Sequence, residues 1–238
     1  MMSVILKSVK SFAYGRHQCI VKRRPSTSPR MKITKAQSQE NRARIVETAS
    51  ALFRERGYDG VSVADLMLAA GLTHGGFYKH FESKAELMAE ATEHGLAAKM
   101  HDYQGVDMQG FVNSYLSREH RDGRGDGCTL AALSGDAARQ LPTVQAAFES
   151  GISSMLAAIE RGSTTEAVTR PAARAQAIGL FAQMVGAVVL SRACSDDSPL
   201  SDEILAVCRA QILAALALRS PAEDRKASKK RRSKPAAA

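Results

Sequence analysis

The chain has 238 residues, a formal net charge of +9 and 45% hydrophobic residues, enough for one large domain or two small ones with a sizeable core. No uninterrupted apolar run reaches the roughly 18 residues of a membrane span; the stretch 178–190 is broken by Gln183, so a soluble protein that does not enter a membrane is expected. The cysteines at 19, 128, 194 and 208 lack paired spacing, which argues against a disulfide framework and for a reducing cytoplasm.

The positive charge is unevenly placed. Residues 1–39 hold nine basic side chains and no acidic one, residues 221–238 hold seven basic and two acidic, and residues 40–220 are left with a net −5. The bulk charge belongs to two tails, so any specific contact with nucleic acid must be argued from local placement. The segment MMSVILKSVK has a three-residue apolar run, far short of a signal-peptide core. Residues 1–36 match a mitochondrial transit peptide in composition, but the preferred reading is a disordered basic extension or a start codon set ahead of Met31.

In chain order, almost every periodic segment has helical period, and an all-α protein is predicted. Ile45, Ala49, Leu52 and Phe53 give a first helix over about 39–56, ending at Gly57. Ser62-x-x-Asp65 reads as a capping box opening a short second helix that stops at Gly71. Thr73 is the expected N-cap of a third helix over about 74–80, with Phe77 and Phe81 on its buried side. Ser83-x-x-Glu86 opens a fourth, running from Lys84 to about His101. Helices are then predicted over 107–119, 129–139, 143–161, from Pro171 to about Cys194, and to about Leu218, with a glycine-rich loop at 121–127.

The second and third helices, joined by a turn at Gly71, have the layout of a helix-turn-helix. Gly75 and Gly76 at the opening of the third remove Cβ atoms where a helix end must lie close to a duplex, and their amides are expected to suit anions. His74 and Lys79 are placed to reach base edges, Lys to guanine acceptors. Tyr78, His80 and Lys84 carry donors of the phosphate-contact type. No acidic side chain occurs from 73 to 81, although residues 40–94 carry more acids than bases.

The run from Val63 to Leu87, and within it Phe77-Tyr78-x-His80-Phe81-x-x-Lys84, resembles the DNA-binding domain of TetR-type transcriptional repressors over about residues 40–90. The resemblance implies phosphate contacts from Ser62, Tyr78, His80 and Lys84, and base-facing positions at His74, Gly75, Gly76 and Lys79. The family often has Ser or Thr where Gly76 stands, so a hydroxyl contact is missing here. The domains expected are a helix-turn-helix head at 37–84, a helical ligand-binding and dimerisation domain at 85–220, and a basic tail at 221–238.

The resemblance also implies a homodimer that binds a small-molecule inducer and thereby shifts the spacing of two DNA-reading heads on a pseudo-palindromic operator. Two recognition helices about 34–36 Å apart enter successive major grooves, and the helices at 177–194 and 202–218 suit a four-helix interface. Met100, Tyr103, Phe111, Tyr115, Leu116, Phe148, Met155, Phe181 and Met184 are candidate pocket liners for an apolar or aromatic ligand, and equally candidate core. Cys128, opening a predicted helix, is a candidate redox or electrophile sensor or else a small buried residue, while Cys194 and Cys208 read as core. No motif for an enzyme is present, and neither a metal nor a cofactor is expected. The competing function is nonspecific nucleic-acid binding through the basic tails.

Overall fold

The computed structural model describes residues 34–102, 106–163 and 169–217. Among them are nine α-helices and one 3₁₀ helix, without a strand: α1 (Lys35–Arg56), α2 (Val63–Ala69), the 3₁₀ helix (His74–Lys79), α3 (Lys84–Asp102), α4 (Met108–Tyr115), α5 (Arg118–Asp122), α6 (Thr129–Ala137), α7 (Pro142–Ser163), α8 (Arg170–Ala193) and α9 (Pro199–Ala217). The expected extension and tail therefore fall outside the described residues, except that Thr34 to Ala36 belong to the start of α1. Tyr103 also lies outside them.

Local chemistry explains most helix ends. Thr34 accepts the Gln37 amide at 3.1 Å and opens α1 at Lys35, ahead of the expected start at about residue 39. Gly57, at φ +73°, closes it. Ser62 and Asp65 form the reciprocal capping box of α2. Gly71, at φ +70°, ends α2 with its amide on the Leu68 carbonyl and the Leu72 amide on that of Met67, a Schellman arrangement.

Two expected elements differ. The third helix is a 3₁₀ helix, and the Thr73 side chain makes no capping bond; its carbonyl instead takes the Gly76 amide at 2.8 Å. Two adjacent glycines weaken an α-helix, and the tighter turn results. The segment predicted as one helix over 107–119 is two, because the chain turns at Leu116 and Ser117 caps α5 by accepting the His120 amide at 3.1 Å.

One buried apolar cluster runs from Ile45 in α1 to Ile212 in α9. In the head, Phe53 meets Tyr58 edge-on at 5.0 Å and Phe77 stacks on Phe81 at 5.5 Å. Helix α3 begins against the head and continues into the body, where it packs on α7. Thus the boundary expected at 84/85 falls in the first turn of α3, and the described residues from Thr34 form one compact unit. Helix α8 is long and apolar enough to cross a membrane by length and composition alone, Gln176 and Gln183 notwithstanding. It buries Ala177, Phe181, Met184, Ala187 and Val188 against its neighbours.

Candidate nucleic-acid interface

The 3₁₀ helix presents its polar residues outward from a fixed apolar base. Phe77 is wholly buried, whereas His74, Gly75, Tyr78 and Lys79 are exposed, Tyr78 to 70%. An aromatic ring that stays in water while its neighbour fills the core is available for an external contact. A Cβ built on Gly75 would meet nothing within 4 Å, and one on Gly76 only ordinary contacts, Met67 Cε at 3.5 Å and Thr73 Oγ1 at 3.7 Å. Nothing inside the protein demands glycine at either position. The Gly76 amide is already bonded, so it is not the free anion-binding donor expected from the sequence.

The flanking residues are more constrained. His80 is half-buried, and burial, then the charges of Arg42 and Lys79, push its imidazole pKa down. Near neutral pH it is an uncharged donor. The Ser62 hydroxyl gives its proton to Asp65 Oδ2 at 2.6 Å, and this bond with the Ser62 amide holds the Asp65 carboxyl below its usual range. The Lys84 ammonium donates to the Tyr58 carbonyl at 2.6 Å and lies 5.9 Å from the Phe53 ring centroid. Hence Ser62 could donate to a phosphate only by releasing Asp65, while Lys84 retains two further N–H groups.

Sequence reasoning missed the residue that fastens this element. Arg42 of α1 donates to the His80 carbonyl, to Glu86 Oε1 at 2.9 Å and to Glu90 Oε2 at 2.5 Å, and sits 4.2 Å from the Phe81 ring centroid. Its hydrogen bond, with the Glu82 amide, holds the Glu86 carboxyl below the ordinary value. Glu86 and Glu90, one helical turn apart on α3, were the available signal. Nothing local in the sequence names Arg42 as their partner.

The proposed pocket liners fall mainly in the core. Phe111, Tyr115, Leu116, Phe148, Met155, Phe181 and Met184 are buried and Met100 packs against the same cluster; Phe148 also borders a surface groove of about 340 Å³. A larger cavity, about 460 Å³, is lined instead by Lys99, Val106, Ser114, Ser117, Glu119, His120, Gly123, Asp126 and Gly127. Its lining sets charged and hydroxyl side chains beside apolar surface. Cys128 is the N-cap of α6 and 2% exposed; Cys194 and Cys208 are half-buried, and Cys208 packs against the core cluster.

A family model described as bacterial regulatory proteins, tetR family, matches residues 45–91. The HTH-type transcriptional regulator TtgR of Pseudomonas putida is 46% identical over 55 residues, 23% of this chain and 26% of that protein. The HTH-type transcriptional regulator AcrR of Shigella flexneri is 38% identical over 60 residues, 25% of this chain and 28% of that one. The chain thus matches about a quarter of the length of these relatives. The likeness in fold is wider. The reduced form of Escherichia coli NemR superposes with a TM-score of 0.61 at 20% identity, covering 73% of this chain and 95% of that one. A TetR transcriptional regulator from Chloroflexus aurantiacus gives 0.62 at 23%, covering 76% and 96%.

Proposed function

We propose, from the premise that this chain is a transcriptional regulator of the tetR family with a DNA-binding head, that it is a cytoplasmic, ligand-responsive repressor acting without catalysis as a homodimer on a two-fold-symmetric operator. The observation that carries this reading is the exposed Tyr78 beside the open backbone at Gly75 and Gly76, on a stretch without acidic side chains. His74 and Lys79 read base edges, with Lys79 directed to guanine N7 and O6. Tyr78 and neutral His80 donate to phosphate oxygens, and Lys84 adds its spare N–H groups. Ser62 joins them only where it exchanges Asp65 for a phosphate.

A single head grips too few bases for a unique site, so two are joined through α8 and α9. Ile178, Val189 and Leu190 on α8 and Leu200 and Val207 on α9 are between 45% and 59% exposed, and Gly179 and Gly186 open α8 to close approach. A ligand that favours a mis-spaced pair of heads lowers the repressing population, and its differential affinity sets how far. The Cys128 thiol, within electrostatic reach of Arg54 and Arg192, is a second candidate for the signal. Operator affinity unchanged after complete alkylation of Cys128 removes it.

The test is selection from a random duplex pool with the full chain. A two-fold-symmetric motif is expected, and Tyr78→Phe is expected to weaken all sequences alike by about 1 kcal/mol, several-fold in Kd. Enrichment without a motif contradicts the reading.

A further inference from the structure

We propose that the cavity of about 460 Å³ beside Lys99, Glu119 and Asp126 is the effector site, and that the loop Gly123–Gly127 passes its occupancy to the DNA-binding head through Arg54. This rests on reading the chain as a ligand-responsive repressor. The loop is a partition one strand of chain thick. Gly123, Asp126 and Gly127 line the cavity, while Gly125 faces α1: its carbonyl accepts from Arg54 Nε at 2.6 Å, and a Cβ there would lie 2.6 Å from Glu55 Oε1.

The ends of the partition are pinned. His120 donates from Nδ1 to the Tyr115 carbonyl at 2.7 Å and accepts the Cys128 amide on Nε2 at 3.2 Å. Arg192 donates to the carbonyls of His120 at 2.9 Å and Arg121 at 2.8 Å. A molecule entering the cavity therefore displaces the middle of the loop, where Arg54 is attached.

On the side facing α3 the packing around Arg54 is tight. Arg54 Nη1 donates to Ser50 Oγ at 2.6 Å and to Thr129 Oγ1 at 3.5 Å. A Cβ on Gly95 of α3 would stand 2.6 Å from each of those three atoms. A groove of about 300 Å³ opens beside Arg54 and Arg124, so a shift of Gly125 reaches α1 through the Arg54 hydrogen bond itself.

The lining selects the ligand. Lys99 supplies an ammonium, Ser114 and Ser117 hydroxyls, and Glu119 and Asp126 carboxylates. With both ring nitrogens engaged in the protein, His120 offers its ring face and edge. The occupant is a small polar molecule carrying both a cationic group and an anionic one, of the amino-acid type. An extended apolar compound would cover these polar groups without offering them a hydrogen bond.

Ser114→Trp and Val106→Trp each place an indole at the cavity as a built-in occupant. Binding to the selected duplex is measured by anisotropy, and Tm is followed alongside, in the native background and with Arg54→Met or Arg54→Lys. The occupants are expected to lower affinity about ten-fold or more with Arg54 present and by less than about two-fold without it. An equal loss in both backgrounds, or no loss in either, overturns the coupling. Absence of any selectable duplex for the native chain instead defeats the parent reading. Free L-amino acids, titrated singly, are expected to raise the native Tm and not that of Ser114→Trp. An equal rise in both overturns the site, and no rise with any of them overturns the ligand class.

Discussion

Gly75 and Gly76 have room for a methyl group in the free protein, and under the proposed function their value lies at the duplex. Gly75→Ala and Gly76→Ala are expected to leave Tm unchanged or slightly raised, since alanine lowers the entropy of the unfolded chain by about 0.4–1 kcal/mol. Operator affinity, read by gel shift, is expected to fall about ten-fold for Gly75→Ala, where the added carbon meets the groove. Equal affinity would mean that this turn does not approach the duplex. At His120 the residue-scale consequence is a dependence on pH. Burial pushes its pKa from 6.5 down to about 4, and its Nε2 must stay unprotonated to accept the Cys128 amide. The folded pKa is the lower one, so stability is full above 6.5. It is lost as pH falls toward 4, by on the order of 3 kcal/mol, because the unfolded chain binds the proton first. Urea midpoints at several pH values check this, and His120→Gln is expected to flatten the dependence.

At the scale of elements, α5 is joined to the corner between α8 and α9 by the buried Arg121. Its guanidinium donates to Ser191 Oγ at 3.1 Å, the Cys194 carbonyl at 3.3 Å and Asp196 at 3.0 Å. Arg121→Met is expected to cost about 2–4 kcal/mol, read by denaturant unfolding, because these acceptors lose a shared donor. The sequence reading had put Arg121 in a glycine-rich loop. What could be read from the sequence was local: the Ser62–Asp65 capping box, the left-handed glycines at 57 and 71, and the alternation of buried Phe77 and Phe81 with exposed Tyr78. Each depends on atoms a few residues apart, where spacing carries the geometry. The fastenings made by Arg42, Arg54 and Arg121 join residues tens of positions apart. A single charged residue in a sequence does not say which distant carbonyl or carboxylate it will meet. The candidate pocket liners take the core reading for a related reason: Met and aromatic residues mark apolar volume, and here that volume is filled by core packing.

At the scale of the molecule, the described part of the chain joins the helix-turn-helix head to a body that leaves apolar side chains of α8 and α9 in water. If a second copy covers them, Leu190→Asp together with Val207→Asp is expected to give a monomer in sedimentation and to weaken operator binding by two orders of magnitude or more, because one head loses the other's effective concentration. The basic tails add attraction that depends on salt and not on sequence. Hydroxyl-radical footprinting of the full chain on its selected duplex tests the central claim most directly. The account predicts two protected patches about one helical turn apart, both lost with Tyr78→Ala at unchanged Tm and both kept when residues 1–33 and 218–238 are removed. A protection that survives Tyr78→Ala and vanishes with those terminal segments would contradict it.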